Sequence, residues 1–228
     1  MRTDIEGVAF DLDGTLYPNY RLNIKLIPFI FKELRLLASF GKARTIIRKE
    51  QENGSIQYGD FYERQAEITA RLLKAPARTI KEKIEILMYR GWEPLFKKIG
   101  LFKNVLETLT AFRGAGYKLG LLSDFPPETK LEYLGLSRFW DAVYCSEYCG
   151  ALKPHPLSFA KLAAEMNLPP EKILYVGNSL PYDVAGASKA GMKTAWIRTF
   201  PLPDFHKNLP KPDFSFSNYR QLFNYMLH

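Results

Sequence analysis

From Gly100 onward, short apolar runs alternate with stretches of helical periodicity, and this rhythm constrains the fold more than any other feature of the chain. The runs at 117–123, 142–146, 173–177 and 194–198 are too short for helices and mostly apolar. Helical patterns at 104–115, 129–134, 155–166 and 182–190 precede or separate them. An N-terminal run, Ile5 to Asp11, belongs to the same set. Strands apolar along their whole length are buried on both faces, which implies a parallel sheet covered by helices on each side. After a proline-rich loop at 200–212, an edge strand at 213–216 and a helix from Tyr219 complete an α/β chain.

Between the first strand and Gly100 the pattern is helical throughout. Helices are predicted at 22–40, with Pro28 near the start, and at 42–52. A turn bracketed by Gly54 and Gly59 leads to further helices at 61–74 and 79–89. The expected organisation is one unit from 1–16 and 101–228, with 17–100 inserted as an all-helical second unit.

The net charge of +8 sits in that insert: residues 17–103 carry 18 Lys and Arg against 9 Asp and Glu. A solvated helical surface accounts for most of the excess. An anionic small substrate fits the rest, and no basic run interleaved with aromatics points to nucleic acid. The most apolar stretch, 22–40, is interrupted by Lys25, Lys32, Glu33 and Arg35, so no membrane span is expected. Cys145 and Cys149 have no histidine near them and read as reduced thiols. With no signal-peptide pattern at the N-terminus, a cytoplasmic protein is expected.

In an open parallel sheet, ligands bind beyond the carboxyl ends of the strands. The first strand ends in Asp11-Leu12-Asp13-Gly14-Thr15. Side chains two apart in a strand share a face, so both carboxylates start out pointing the same way. Two converging carboxylates repel, which calls for a hard cation such as Mg2+ and leaves one free to attack an electrophile. The other strand ends deliver Ser123 and Asp124, then Gly177-Asn178-Ser179 with Asp183 close behind, and Lys153 opens a Lys-Pro-His-Pro segment. Taken singly, Ser123 is also a common loop residue, Lys153 a surface lysine and Asp183 a first-turn helix acid. His155, His206 and His228 show no metal-binding spacing.

Together, Asp11-Leu-Asp13-Gly-Thr-Leu16, Leu121-Leu-Ser123, Lys153-Pro154 with Pro156, and Val176-Gly-Asn178-Ser179 to Asp183 resemble the four motifs of the haloacid dehalogenase superfamily, over nearly the whole chain. The resemblance implies a Rossmann-like three-layer core with a helical cap inserted after the first motif. It implies a phosphatase acting on a small phosphorylated metabolite, with Asp11 as nucleophile and Asp13 as acid and base. Mg2+ would then bind Asp11, the Asp13 carbonyl, Asn178 and Asp183. Gly14, Thr15, Ser123, Asp124 and Lys153 would hold the phosphoryl group.

One position departs from the pattern: the family usually has Asp where this chain has Asn178, which removes a negative charge from the metal site. A phosphomutase, a haloacid dehalogenase or a non-catalytic binding protein are the alternatives. Dehalogenases of this kind generally lack the second carboxylate, so Asp13 favours phosphate. The basic insert suggests substrates with a second anionic group, with Arg21, Lys25 and Arg90 as candidate contacts.

Overall fold

The first strand of the chain lies in the middle of the sheet. Six strands, β1 (Gly7–Phe10), β2 (Lys118–Ser123), β3 (Ala142–Cys145), β4 (Ile173–Gly177), β5 (Lys193–Ile197) and β6 (Phe214–Phe216), run in the order β3-β2-β1-β4-β5-β6. Every pairing is parallel. The structure, a computed structural model, describes residues 2–54, 60–198 and 209–228. The predicted loop at 200–212 and Gly59 therefore fall largely outside the described residues, as does His206.

Period-two alternation divides the strand side chains between two cores. Val8, Phe10, Leu119, Leu121, Leu174 and Val176 enter one apolar cluster, packed under α4 (Val105–Gly114) and α8 (Tyr219–Leu227). Ala9, Leu122, Ile173 and Tyr175 enter the other, under α6 (Pro156–Glu165) and α7 (Ala185–Lys189). That arrangement is the doubly covered sheet expected from the sequence. His155 serves as the N-cap of α6, its Nδ1 accepting from the Leu157 N–H at 3.2 Å.

Between β1 and α4 the described residues form helices and turns, apart from an isolated bridge joining Asp13 to Tyr17: α1 (Asn19–Glu52), α2 (Phe61–Leu73), α3 (Ala77–Ile84), a π-helical turn at Glu85–Arg90 and a 3-10 turn at Glu93–Lys98. They carry an apolar cluster of their own, with Leu36, Phe40, Ala66, Ala70, Ile80, Ile84 and Met88 buried together. The two helices expected at 22–40 and 42–52 are one element, because Gly41 stays helical. A Cβ at Gly41 would meet nothing within 4 Å, so glycine there costs propensity without serving a contact. The path kinks instead at Glu33, where φ is −119° and ψ is 24°. The helix expected at 182–190 is a π-helical turn at Leu180–Val184 running into α7. A short α5 (Glu128–Tyr133) follows β2. No helix among the described residues is long and apolar enough to cross a membrane.

Candidate active site

β1 ends one residue before Asp11, and the Asp11 N–H still bonds the Val176 carbonyl of β4 at 2.9 Å. This ladder contact fixes the carboxylate between the ends of two central strands. Lys153 Nζ donates to Asp11 Oδ1 at 2.6 Å and to Asp183 Oδ1 at 2.7 Å, all three side chains being buried. Thr15 Oγ1 donates to Asp11 Oδ2 at 2.6 Å. Burial opposes the Lys153 charge, but Asp11 and Asp183 hold the ammonium well above its usual range. Burial pushes the Asp11 carboxyl up to about 7; Lys153 pulls against this, and the Asp183 and Asp13 charges add to it. Two buried carboxylates thus share one ammonium, a pocket of negative charge that calls for another cation.

Asp13 is placed differently. Its carboxylate is partly exposed and accepts from Lys130 Nζ at 2.7 Å and from the Tyr17 hydroxyl. Burial and the neighbouring Asp13 keep Tyr17 protonated well above the usual range, so it remains a donor. The Asp13 carbonyl, meanwhile, accepts from the side-chain amides of Asn178 at 3.3 Å and Asn19 at 3.4 Å. Gly14 lies beneath both amides at φ +88°, and any Cβ there would overlap them.

Several side chains take up roles other than those read from the sequence. Thr15 is fully buried and its hydroxyl serves Asp11, so it orients the carboxylate instead of meeting a substrate. Asp124 is likewise not a substrate contact. Its Oδ1 accepts from the Lys153 N–H at 3.0 Å and its Oδ2 from Arg48 at 2.7 Å, with Arg44 also within 3.7 Å. Burial works against the Asp124 charge, yet Arg44, Lys153 and Arg48 together hold its carboxyl at about 2. Asp183 accepts from the Asn178 and Ser179 N–H groups at 3.1 and 2.9 Å, so it shapes that loop and anchors Lys153. Ser123 Oγ is buried and accepts from the Phe125 N–H at 3.1 Å.

The donors around Asp11 fit a hard divalent cation. Among the described residues no three His, Cys, Asp or Glu side chains cluster around a common point. The Asp11 carboxylate and the Asp13 carbonyl nonetheless supply hard oxygens beside negative charge, and Asn178, whose amide N–H now faces that carbonyl, would add its oxygen by turning the amide over. Mg2+ usually takes one or two carboxylates and keeps several waters, so so small a protein share suffices.

A second buried ionic network joins α1 to the core. Arg44 pairs with the buried Glu147 and donates to the Asp124 carbonyl at 3.1 Å, while its guanidinium lies 4.2 Å over the Phe125 ring. Arg48 Nε donates to the Lys153 carbonyl at 2.7 Å, and Gln51 accepts from the Leu152 N–H at 3.2 Å. The sequence reading missed Lys130, Tyr17, Arg44, Arg48 and Glu147. The stripe 44, 48, 51 does have helical spacing, but polar residues at that spacing ordinarily mark a solvated face.

A cavity of about 1070 Å³ opens from Asp13 and Lys130 into the helical segment. Asp11, Ser123 and Lys153 do not line it. Of the three basic residues expected to meet substrate, only Arg90 lines the cavity, and it is paired with Glu85 at 3.0 Å. Arg21 instead donates to the Gly100 carbonyl at 3.3 Å, and Lys25 is exposed away from the cavity.

The fold and the strand-end chemistry define a hydrolytic enzyme of the α/β class. Residues 5–191 match the haloacid dehalogenase-like hydrolase family, and the chain belongs to it. It is 28% identical to a glyceraldehyde 3-phosphate phosphatase of Methanopyrus kandleri, over 96% of this chain and 95% of that one. A phosphoglycolate phosphatase of Haemophilus influenzae is 24% identical, with 97% and 98% covered. In fold, a 2-haloacid dehalogenase of Pseudomonas syringae pv. Tomato matches with a TM-score of 0.67 at 22% identity, covering 97% and 98%.

Proposed function

We propose that the chain is a Mg2+-dependent phosphatase that hydrolyses a small phosphorylated metabolite through an aspartyl-phosphate on Asp11. The observation that carries this reading is the unequal pair at the end of β1. Asp11 is buried against Lys153, while Asp13 faces a substrate-sized cavity. The phosphatase relatives support it, and so does Asp13 itself, since a halide leaving group has no need of a proton.

An Asp11 oxygen attacks phosphorus as the bond from phosphorus to the ester oxygen breaks. Asp13 gives its proton to the departing alkoxide and regains one from the water that attacks the acyl phosphate. Inorganic phosphate leaves and Asp11 is restored. Lys153 offsets the charge on Asp11, and Ser123 Oγ–H donates to the phosphoryl oxygens. Asp11, the Asp13 carbonyl and Asn178 would hold Mg2+, which supplies further neutralisation of phosphate charge. Residues 17–100 act as a cap over this site, with Asn19 and Tyr17 joining the two parts at Asp13.

The test is release of inorganic phosphate from para-nitrophenyl phosphate with and without Mg2+, in wild type and Asp11→Asn. Release confined to wild type with Mg2+ is the expected result. Equal rates in the two proteins would remove the phosphatase reading and leave a binding role for the same fold.

A further inference from the structure

The cavity starts at Asp13, the proton donor to the leaving group, and does not touch Asp11. It therefore holds the part of the substrate that departs, beyond the phosphate. Leu22, Leu26, Ile30, Met88, Trp92 and Phe96 give it an apolar lining, interrupted by uncharged polar groups such as Asn23 and Gln65.

Charge in the cavity has the opposite sign to the surface of the insert. Asp13, Asp60, Glu82, Glu85, Glu93 and Glu128 line it, against only Lys81, Arg90 and Lys130. Each of these cations already has a carboxylate partner: Glu63 for Lys81, Glu85 for Arg90 and Asp13 for Lys130. The Lys130 ammonium also sits 5.2 Å over the Phe96 and Phe125 rings. Among the described lining residues, no cation is left to receive a second anion. An anionic leaving part would lie unpaired beside carboxylates, at a high desolvation cost.

Size adds a further constraint. At about 1070 Å³ the cavity lies at the upper end of the range for drug-sized ligands, far beyond the needs of a two- or three-carbon unit. Resting on the phosphatase reading above, we infer that the preferred substrate is a phosphate monoester whose remaining part is uncharged, largely apolar and larger than three carbons. The surplus of Lys and Arg in the insert lies elsewhere, on solvated faces and in the contacts of Arg44 and Arg48 with the core.

The test measures phosphate release from hexyl phosphate, phenyl phosphate, glycerol 1-phosphate and phosphoglycolate, in wild type, Asp11→Asn and Ile30→Trp. Hexyl and phenyl phosphate are expected to exceed phosphoglycolate in kcat/KM by roughly 100-fold in wild type. Ile30→Trp, which puts bulk into the cavity, should lower the ratio of hexyl to glycerol phosphate kcat/KM by about tenfold. Phosphoglycolate matching or exceeding the apolar esters overturns the inference while leaving the phosphatase intact, as does an unchanged ratio in Ile30→Trp. Absence of Asp11-dependent release from every ester overturns the phosphatase reading and this inference with it.

Discussion

Two buried ionic networks lie within a few residues of each other and are put to different uses. Around Lys153, two carboxyl groups share one ammonium, so negative charge is left over whenever both are ionised, which burial of Asp11 opposes. Around Asp124 and Glu147, Arg44 and Arg48 match two carboxylates with two guanidiniums, so the charges balance, although Glu147 Oε2 is buried without a hydrogen-bond partner among the described residues. Geometry follows charge. Lysine presents a compact point charge that an incoming phosphate can share, whereas guanidiniums fork into fixed contacts that tie α1 to the loops after β2 and β3. On the proposed function, chemistry belongs to the unbalanced network and mechanical attachment to the balanced one.

The sharpest way to break this contrast is to neutralise one carboxylate in each network. Asp11→Asn should lower kcat by about 10⁴-fold or more, because the nucleophile is gone. Its urea midpoint should hold or rise, because the remaining Lys153–Asp183 pair becomes balanced; a large fall would show that Asp11 is structural. Arg44→Met should behave the other way round. It leaves Glu147 buried without its cation, a loss of about 3–5 kcal/mol in chemical unfolding. Adding Glu147→Gln should recover much of that loss, and a double variant as unstable as the single would mean that Arg44 acts through packing alone.

Acid titration separates the networks further. The Asp124 carboxyl is held at about 2, below its ordinary value, so its stabilisation is fully present above that ordinary value and is lost as pH falls through about 2. The shift corresponds to about 2 kcal/mol at neutral pH. The gap in unfolding free energy between wild type and Asp124→Asn should therefore narrow between about pH 4 and pH 2. A gap that stays constant would show that the Arg44 and Arg48 charges contribute nothing through Asp124.

Smaller effects are expected at the edge of the unbalanced network. Asn178→Asp adds a negative oxygen ligand and should reduce the Mg2+ concentration for half-maximal activity by about tenfold. No change in that concentration would place Asn178 outside the metal site. Lys130→Met should lower kcat/KM severalfold, with unfolding free energy changed by less than about 1 kcal/mol because the pair with Asp13 is partly exposed.

What was legible in the sequence follows the range of the interactions involved. Strand positions were readable because burial on both faces demands unbroken apolar runs, and Val8-Ala9-Phe10 or Ile173 to Val176 leave no other reading. The carboxylate pair was readable because it sits at the end of an apolar strand, and Lys153 because it opens a Lys-Pro-His-Pro segment before a helix. Lys130 was not: it contacts Asp13 across more than half the chain's length of fold, and a lysine in a six-residue helix carries no sign of its partner. Arg44 and Arg48 were hidden for the same reason, since their partners come from loops after β2 and β3. The charge of the insert was counted correctly, but its placement was not, because composition does not say which residues line a cavity. The kink at Glu33 also escaped, with Pro28 and Gly41 drawing attention to positions where the helix continues.

The central place of β1 bears on the order in which the protein can come into being. Asp11 and its strand precede their partners in the chain: Gly7 to Phe10 pair with β2 and β4, which are made far later. Until β2 and β4 follow, the nascent strand lacks its flanking neighbours, and until Lys153 follows, its carboxylate lacks a cation. Helical contacts are local and close early, whereas this sheet must wait for distant partners. The helical segment can thus take shape during synthesis while the cluster of Asp11, Lys153 and Asp183 is still incomplete, and that cluster closes only once the chain beyond β4 has been made.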